Sequence, residues 1–268
     1  MNRLLPLLLS GLLVSFTPLK AVELIAHRGA SHDAPENTLA ALRLGWEQGA
    51  DADELDIYLT KDGHVVAIHD ATTKRTTGVD KKVADSTLEE LRALDSGSFK
   101  GPQWVGEKIP TLADALATLP DGKRMFIEIK CGPEVLPALE TVMKASGKKA
   151  EQLVIIGFGY ETVRLAKERL PQAPVYWLAS YKEDKKTGEL PKIKDLIAQT
   201  KKAGLDGLNL HYKFPIDADF VATVKGEGLK LYTWTVNDPA IAQQLAKAGV
   251  DGITTDRPAW LREQLKAP

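Results

Sequence analysis

Two short histidine segments of the sequence carry residue types suited to acid-base chemistry. His27 and His69 each end a short apolar run, at the point where a buried strand would emerge into a loop. Between them, a third apolar run contains Glu54 and, two residues later, Asp56. Histidine exchanges protons near neutral pH, and clustered carboxylates bind hard cations. The pattern therefore indicates two proton-transferring histidines beside a metal-bound acidic centre.

Three carboxylates are expected to meet at neighbouring strand ends. Side chains two residues apart in a strand share a face, so Glu54 points with Asp56. In a later strand, Glu128 points with Lys130. An ordinary ion pair, such as Glu128 with Lys130 or Arg28, is the alternative for any one acid alone. Together the three acids repel one another unless a cation neutralises them, which predicts a divalent ion such as Ca²⁺ or Mg²⁺ at Glu54, Asp56 and Glu128.

Fixed positive charge accompanies these acids. Arg28 and Lys130 match a phosphate-bearing substrate better than a neutral one. For His27 or His69 alone, a hydrogen-bonded core histidine is the alternative to an acid-base role. Both histidines are expected to lie at the same end of the fold, which favours catalysis, because two histidines can serve as acid and base.

The remaining polar and aromatic positions leave alternatives open. Asn37 and Thr38 are interpreted as the cap of the next helix, which leaves Glu36 free to orient Arg28 or to approach the metal. Trp234 either fills the core or contacts the organic part of the substrate. Glu36 is also a candidate for binding the substrate.

The elements that would position these residues alternate between strand and helix patterns. Eight strands are predicted at residues 23–27, 52–58, 124–129, 153–156, 174–178, 207–210, 230–235 and 252–255. Helices are predicted at residues 38–48, 112–119, 133–145, 161–169, 192–202, 217–225, 239–247 and 258–266. The sum is an α/β fold, a (β/α)₈ TIM barrel whose strand ends build the active site. One segment, residues 70–110, breaks the alternation and is predicted to be a small insertion after the second strand.

The composition limits the possible classes of protein. With 268 residues and 44% hydrophobic positions, the chain can bury one full core, and no linker divides it. The formal net charge of −1 predicts no nucleic-acid partner. The oligomeric state leaves no readable mark in the sequence.

The first residues have the pattern of a secretory signal peptide. A basic start at Arg3 precedes an apolar stretch, residues 4–16, that is short for a membrane span. Cleavage near Ala21 would leave a single domain at residues 22–268 with no stable membrane span, and a retained anchor is the alternative. The chain has one cysteine and hence no internal disulfide. We expect an exported protein, periplasmic or secreted.

Taken together, these segments closely resemble the glycerophosphodiester phosphodiesterase family. The likeness spans nearly the whole chain after the predicted signal peptide and runs in order through AHRGA at 26–30, PENTL at 35–39, ELD at 54–56, LTKDG at 59–63, IHD at 68–70, RTTG at 75–78, KIPTL at 108–112, IEIK at 127–130, WTVN at 234–237 and DGITTDRP at 251–258. Asp53 departs from it, because family members usually carry an apolar residue there.

The resemblance implies a metal-dependent hydrolase that splits glycerophosphodiesters, such as glycerophosphocholine or glycerophosphoethanolamine, into sn-glycerol 3-phosphate and an alcohol. The acid-base positions of the family match His27 and His69. Its metal ligands match Glu54, Asp56 and Glu128, and its phosphate-binding positions match Arg28 and Lys130. Exported members of the family favour Ca²⁺ over Mg²⁺ as the single divalent cation.

Two rival functions are compatible with the same barrel. A lysophospholipase D or sphingomyelinase D type of phosphodiesterase would use the same centre with a more apolar rim. A secreted binding protein without turnover is the rival of another class, and the complete set of histidines and carboxylates argues against it.

Overall fold

Parallel strands close into a barrel in the structure, a computed structural model that describes residues 22–266. The strands are β1 (Glu23–Ala26), β2 (Ala52–Leu59), β3 (Val65–Ala67), β4 (Arg124–Ile129), β5 (Leu153–Gly157), β6 (Val175–Ala179), β7 (Gly207–His211), β8 (Lys230–Trp234) and β9 (Gly252–Thr255). All except β3 are parallel, and β1 closes the ring because it pairs with both β2 and β9. The predicted (β/α)₈ barrel is confirmed.

Most of the helices return the chain from the carboxyl end of one barrel strand to the amino end of the next, whereas two short helices belong to the insertion and one helix follows the last strand. The helices are α1 (Leu39–Glu47), α2 (Lys74–Thr77), α3 (Leu88–Arg92), α4 (Leu112–Ala117), α5 (Leu136–Ala145), α6 (Tyr160–Arg169), α7 (Ile193–Lys202), α8 (Ala218–Gly226), α9 (Pro239–Ala248) and α10 (Pro258–Lys266). The predicted helix at residues 133–145 differs in its first turn, which is a 3₁₀ turn (Pro133–Val135). This turn starts at a proline, which has no amide hydrogen to donate.

Two helix starts show how side chains fix the loops at the barrel mouth. The Thr38 hydroxyl accepts a hydrogen bond from the Ala41 amide at 3.2 Å and caps α1. Asp238 caps α9, with Pro239 in the first turn. Asn37 does not cap α1, so its interpretation as a cap residue is wrong. Its side chain binds the neighbouring strand instead, as described below.

The inside of the barrel is layered. Phe126, Tyr176 and Tyr232 pack together in the barrel interior, with ring centroids 4.9 to 6.1 Å apart. In the register of β2 with β4, Asp56 pairs with Glu128 two residues closer to the carboxyl ends than Phe126. The acids therefore lie above an aromatic layer, toward the mouth of the barrel, as strand parity predicted.

Asp53 lies on the opposite face of β2 from these acids. Its side chain is buried against Gly45 of α1, where a Cβ atom would come within 2.3 Å of the carboxylate. Neither carboxylate oxygen has a hydrogen-bond partner among residues 22–266. Burial raises the pKa of Asp53 well above its usual value, and the charge of Lys123 opposes this only in part.

The segment between β3 and α4 forms a small packed unit. It contains α2, α3 and the 3₁₀ turns Val83–Asp85 and Pro102–Trp104. Its own core is formed by the buried residues Val66, Ile68, Val83, Leu91 and Ile109. This unit occupies the place predicted for the insertion at residues 70–110, on the loop side of the barrel.

The predicted signal peptide, residues 1–21, lies outside the described residues. Within residues 22–266, a search for helices with the length and hydropathy needed to cross a membrane finds none.

Candidate active site

Three carboxylates converge at the mouth of the barrel. One oxygen from each of Glu54, Asp56 and Glu128 lies within 4.8 Å of the others, and the residues are at most 8% exposed. Burial, followed by the charges of Asp56 and Glu128, raises the pKa of Glu54 well above its usual range. Burial and Asp56 likewise raise the pKa of Glu128. Such crowding of acids favours either protons or a cation between them.

Two carboxylate oxygens of this cluster are suited to bind a cation. Glu54 Oε1 and Asp56 Oδ1 are buried and accept no hydrogen bond from any of residues 22–266. Buried polar atoms normally have hydrogen-bond partners, so two oxygens without one in the same acidic cluster make the cluster suited to a cation. Carboxylate oxygens without sulfur or nitrogen ligands suit Ca²⁺ or Mg²⁺. The residues present therefore fit one divalent cation.

Two basic side chains border the acids. Lys130 Nζ lies 2.7 Å from Glu128 Oε1 and 3.6 Å from Asp56 Oδ1, and Arg28 Nε lies 3.1 Å from Asp56 Oδ2. Burial alone would lower the pKa of Arg28 and of Lys130, but the surrounding carboxylates more than reverse this. Both side chains therefore remain cationic beside the cluster. Of the ion pairs considered as the alternative from sequence, Glu128 with Lys130 is present together with the cluster, whereas Arg28 pairs with Asp56.

A turn in left-handed backbone conformation sets the direction of Arg28. Arg28 has φ 54° and Gly29 has φ 76°. A Cβ atom at Gly29 would lie 2.4 Å from the backbone of Ala41, so only glycine fits this close approach to α1. The turn aims the amide of Arg28 at Glu54 Oε2, to which it donates a hydrogen bond of 2.8 Å.

Each of the two predicted histidines is held by an aspartate. His27 Nδ1 lies 2.6 Å from Asp256 Oδ1, and His69 Nδ1 lies 2.6 Å from Asp70 Oδ1. His69 Nε2 lies 3.1 Å from the amine of Lys130, which connects this histidine to the acidic cluster. Burial lowers the pKa of His69, against the charge of Asp56. Because an aspartate occupies Nδ1 in both rings, proton exchange would use Nε2, which in His69 lies within hydrogen-bond distance of Lys130.

The Asp256 carboxylate is itself fixed from the far side. It accepts hydrogen bonds from Asn237 Nδ2 at 2.6 Å and from the Ser31 hydroxyl at 3.1 Å. Burial would raise the pKa of Asp256, but these donors and His27 lower it to about 2. Asp256 is therefore a permanent carboxylate at neutral pH.

Asn37 supports the acidic cluster rather than the helix start. Its amide donates to Asp56 Oδ2 at 2.9 Å, and its carbonyl oxygen accepts from the Asp56 backbone amide at 3.0 Å. The residue is buried and has φ 59°. Asparagine tolerates this conformation better than most residues, so the backbone can turn its side chain onto Asp56.

The contacts of Glu36 agree with the first of the two roles considered from sequence, the orientation of Arg28. Its Oε1 accepts from Arg28 Nη1 at 2.7 Å, and Arg75 of the insertion binds both of its oxygens. Burial would raise the pKa of Glu36, but the two arginines lower it to about 2. A role of Glu36 in substrate binding stays a prediction.

Aromatic side chains line one side of the mouth. Trp234 is partly exposed, and its edge contacts with Phe158 and His211 have centroid distances of 5.4 and 4.9 Å. Its Nε1 donates to the Asn209 carbonyl at 3.0 Å, which fixes the ring. Phe158 is 41% exposed, and Lys130 Nζ lies 5.8 Å from its ring centre. Contact of Trp234 with substrate stays a prediction.

Sequence reasoning named the strand-borne site residues but missed several that hold them in place. Those missed are Asn37, Asp70, Arg75, Phe158 and Asp256. Asp70 and Asp256 each lie next to a recognised motif or within one, which is the signal that could have found them.

Comparisons with known proteins agree with this geometry. The model of the glycerophosphoryl diester phosphodiesterase family matches residues 27–260. A glycerophosphodiester phosphodiesterase from Caldanaerobacter subterraneus is 37% identical over 242 residues, covering 88% of this chain and 95% of the relative. One from Bacillus subtilis is 31% identical over 251 residues, covering 87% and 83%.

Solved structures share the fold over most of their length. An Oleispira antarctica phosphodiesterase, solved in complex with the product sn-glycerol 3-phosphate, has a TM-score of 0.82 and 30% identity, covering 92% of this chain and 98% of that one. A glycerophosphodiester phosphodiesterase from Thermotoga maritima has a TM-score of 0.73 and 28% identity, covering 91% and 98%. The chain therefore belongs to the glycerophosphoryl diester phosphodiesterase family and is an enzyme of that hydrolase class.

Proposed function

We propose that this enzyme hydrolyses small glycerophosphodiesters to sn-glycerol 3-phosphate and an alcohol with the help of one divalent cation. The observation that carries the proposal is the acidic cluster of Glu54, Asp56 and Glu128 beside two histidines, each oriented by an aspartate. The Oleispira antarctica phosphodiesterase was solved with sn-glycerol 3-phosphate, which supports the same product here.

Glu54, Asp56 and Glu128 would hold the cation. When bound, it would polarise a phosphate oxygen and offset the charge that grows there during hydrolysis. Export to a compartment rich in Ca²⁺, inferred from the N-terminal sequence, leads us to propose Ca²⁺ rather than Mg²⁺. Asn37 contributes indirectly, since its two hydrogen bonds fix the carboxylate of Asp56.

The chain's own cations would bind and orient the phosphodiester. Arg28 and Lys130 present fixed positive charge at the edge of the cluster, and the guanidinium of Arg28 is held by Glu36. Donors fixed in advance toward the phosphate oxygens stabilise charge that develops in the transition state.

His27 and His69 would transfer the protons. One Nε2 would take a proton from the attacking hydroxyl, and the other would give a proton to the leaving alkoxide. Asp256 and Asp70 hold each ring by Nδ1 and stabilise its cationic form. The attacking hydroxyl is either water or the 2-hydroxyl of the glycerol.

Trp234 and Phe158 would contact the organic part of the substrate. Their rings form an apolar wall at the mouth, and Phe158 extends into solvent. Such a wall suits a small alcohol that lies flat on an aromatic face.

A metal-stripped preparation tests the proposal. We expect no release of sn-glycerol 3-phosphate from glycerophosphocholine until Ca²⁺, Mg²⁺ or Zn²⁺ is added, with the highest rate in Ca²⁺. Glu128→Gln should lose the activity, and Glu183→Gln, which changes an exposed acid in the loop after β6, should keep it. Turnover that is unaffected by chelation, or absent with every cation, would contradict the proposal.

The same assay separates the rival substrates. We expect glycerophosphocholine to be cleaved faster than lysophosphatidylcholine, because the wall of Trp234 and Phe158 is small. Preference for the lysophospholipid would instead indicate a lysophospholipase D. We further propose that the enzyme is exported, on the basis of residues 4–16, and detection of a C-terminally tagged chain only in the cytosolic fraction would contradict this.

A further inference from the structure

Arg75 connects the insertion to the catalytic loops. It lies in α2, and its guanidinium makes three hydrogen bonds to only two carboxylates. Nη1 and Nη2 donate to the two oxygens of Glu36 at 2.7 and 2.8 Å, and Nε donates to Asp70 Oδ2 at 2.7 Å. The planar guanidinium is suited to this arrangement, because its donors point outward in one plane.

Each of those carboxylates is one contact away from a side chain at the reaction centre. The Glu36 carboxylate accepts a hydrogen bond from Arg28 Nη1 at 2.7 Å. The Asp70 carboxylate accepts from His69 Nδ1 at 2.6 Å through its other oxygen. One guanidinium therefore fixes both the arginine that would bind phosphate and a histidine that would transfer a proton.

We propose that Arg75 is a positioning residue for the reaction proposed above, on which this inference rests. It holds Glu36 and Asp70 in a single arrangement, so that Arg28 and His69 face the substrate together. The insertion is then part of the active site and not only a decoration of the barrel. Arg75 itself acts through its two carboxylate partners and touches neither histidine nor acidic cluster.

The charges around Arg75 support a positioning role over a stabilising one. The Arg75 side chain is 45% exposed, so solvent weakens the contribution of its ion pairs to folding relative to that of a buried pair. Both partners are ionised, since the donors around Glu36 and Asp70 lower their pKa values to about 2 despite burial. Loss of Arg75 should therefore leave Glu36 held only by Arg28, and Asp70 held only by His69, in a folded protein.

The test compares Arg75→Gln with Arg92→Gln. Arg92 is the matched control, since it belongs to the same insertion, is also 45% exposed and pairs with one carboxylate, Asp114. Displacement of oriented groups typically reduces activity by about 10- to 100-fold, so we expect this loss of kcat/KM in Arg75→Gln, with lower kcat and higher KM. Arg92→Gln should stay within about twofold of the parent. Equal kinetics of the two variants would overturn the proposal.

Combined substitutions separate positioning from a general loss of structure. Asp70→Asn should mainly lower kcat, and Glu36→Gln should mainly raise KM. Adding Arg75→Gln to Asp70→Asn should cost kcat little more, because the two residues act through the same contact. Fully multiplicative losses would show that Arg75 acts elsewhere. Arg75→Lys should recover only part of the activity, since one ammonium cannot bind both carboxylates as the guanidinium does.

Crystal structures give a readout that does not depend on turnover. In Arg75→Gln we expect Asp70 or Glu36 to leave its place, so that the contact with His69 or Arg28 is lost or adopts several conformers. Unchanged contacts would overturn the proposal even in an active enzyme. A parent enzyme without phosphodiesterase activity would instead overturn the proposed function, and the structures would still decide the role of Arg75.

Discussion

Replacing Asp256 by asparagine should disable His27 through its hydrogen-bond network and not through its packing. Asn237 uses its carbonyl oxygen to accept from the Thr255 hydroxyl at 2.9 Å and from the Asp256 amide at 3.0 Å. Its NH₂ group must therefore point at residue 256. An asparagine there would turn its own oxygen toward Asn237 and its NH₂ toward His27, which forces the proton of the imidazole onto Nε2.

The size of the effect follows from the state of Asp256. Its pKa is lowered from 3.8 to about 2, although its side chain is only 29% exposed. A shift of this size corresponds to about 2 to 3 kcal/mol in favour of the charged carboxylate. His27, Asn237 and Ser31 share this stabilisation, so the part that the cationic form of His27 loses in the transition state lowers the rate by at most about 30- to 150-fold, and the wrong tautomer slows it further.

Steady-state kinetics on glycerophosphocholine measure the loss, with Asp219→Asn in the exposed first turn of α8 as the control. We expect Asp256→Asn to lower kcat about 100-fold or more and to leave the thermal transition close to that of the parent. Nitrogen NMR chemical shifts of the His27 ring should show the proton on Nδ1 in the parent and on Nε2 in Asp256→Asn. A folded variant whose kcat stays within about threefold of the parent would refute the role of Asp256.

Three further predictions concern the cation, the buried acid and the aromatic wall. Saturating Ca²⁺ should stabilise the parent by about 3 kcal/mol at 100 times its Kd, measured by calorimetry, and a similar gain in Glu128→Gln would contradict the metal site. Asp53→Val should raise the free energy of unfolding at pH 7 by about 1 to 3 kcal/mol in urea titrations, because the carboxyl has no partner. Because its pKa is raised, the contribution of Asp53 to stability is most favourable below the unfolded pKa and is lost as pH rises, so the gain in Asp53→Val must shrink toward pH 4, and a gain that is constant with pH would be contrary to this reasoning. Phe158→Ala should raise KM about 2- to 10-fold through loss of the contact with Trp234, and a fall in kcat at constant KM would argue against a binding role.

The strand-borne half of the site was predictable because backbone geometry fixes it. Glu54, Asp56 and Glu128 share an inward face by the two-residue period of a strand, and parallel strands bring their carboxyl ends to one mouth. By the same parity, Asp53 points to the opposite face, where it is buried under α1. Parity does not predict burial without a partner, so the isolation of Asp53 was visible only in three dimensions.

The loop-borne half could not be read from local pattern. Asparagine is common at helix caps, so the sequence around Asn37 suggests a cap. Only the left-handed backbone at φ 59° turns its side chain onto Asp56. Asp256 is separated from His27 by 229 residues, and the closure of β1 onto β9 brings them together. Arg75 lies in an insertion that has no periodicity to extrapolate. Each of these contacts forms only when distant parts of the chain come together in the folded protein, and rules based on neighbouring residues do not predict this.

The balance of charge at the mouth explains why the chain combines three acids with two bases. When all three are ionised, the carboxylates of Glu54, Asp56 and Glu128 contribute −3, and Arg28 and Lys130 contribute +2, so the set carries −1. Such a site would repel a phosphodiester, which also carries one negative charge. A divalent cation changes the sum from −1 to +1 and makes the site complementary to the substrate. A third base in place of the cation would bring the sum only to 0, so the site would still not attract the phosphodiester. Under the proposed function, the same residues that make the site unfavourable by itself would therefore make it selective for a cation and a phosphodiester together.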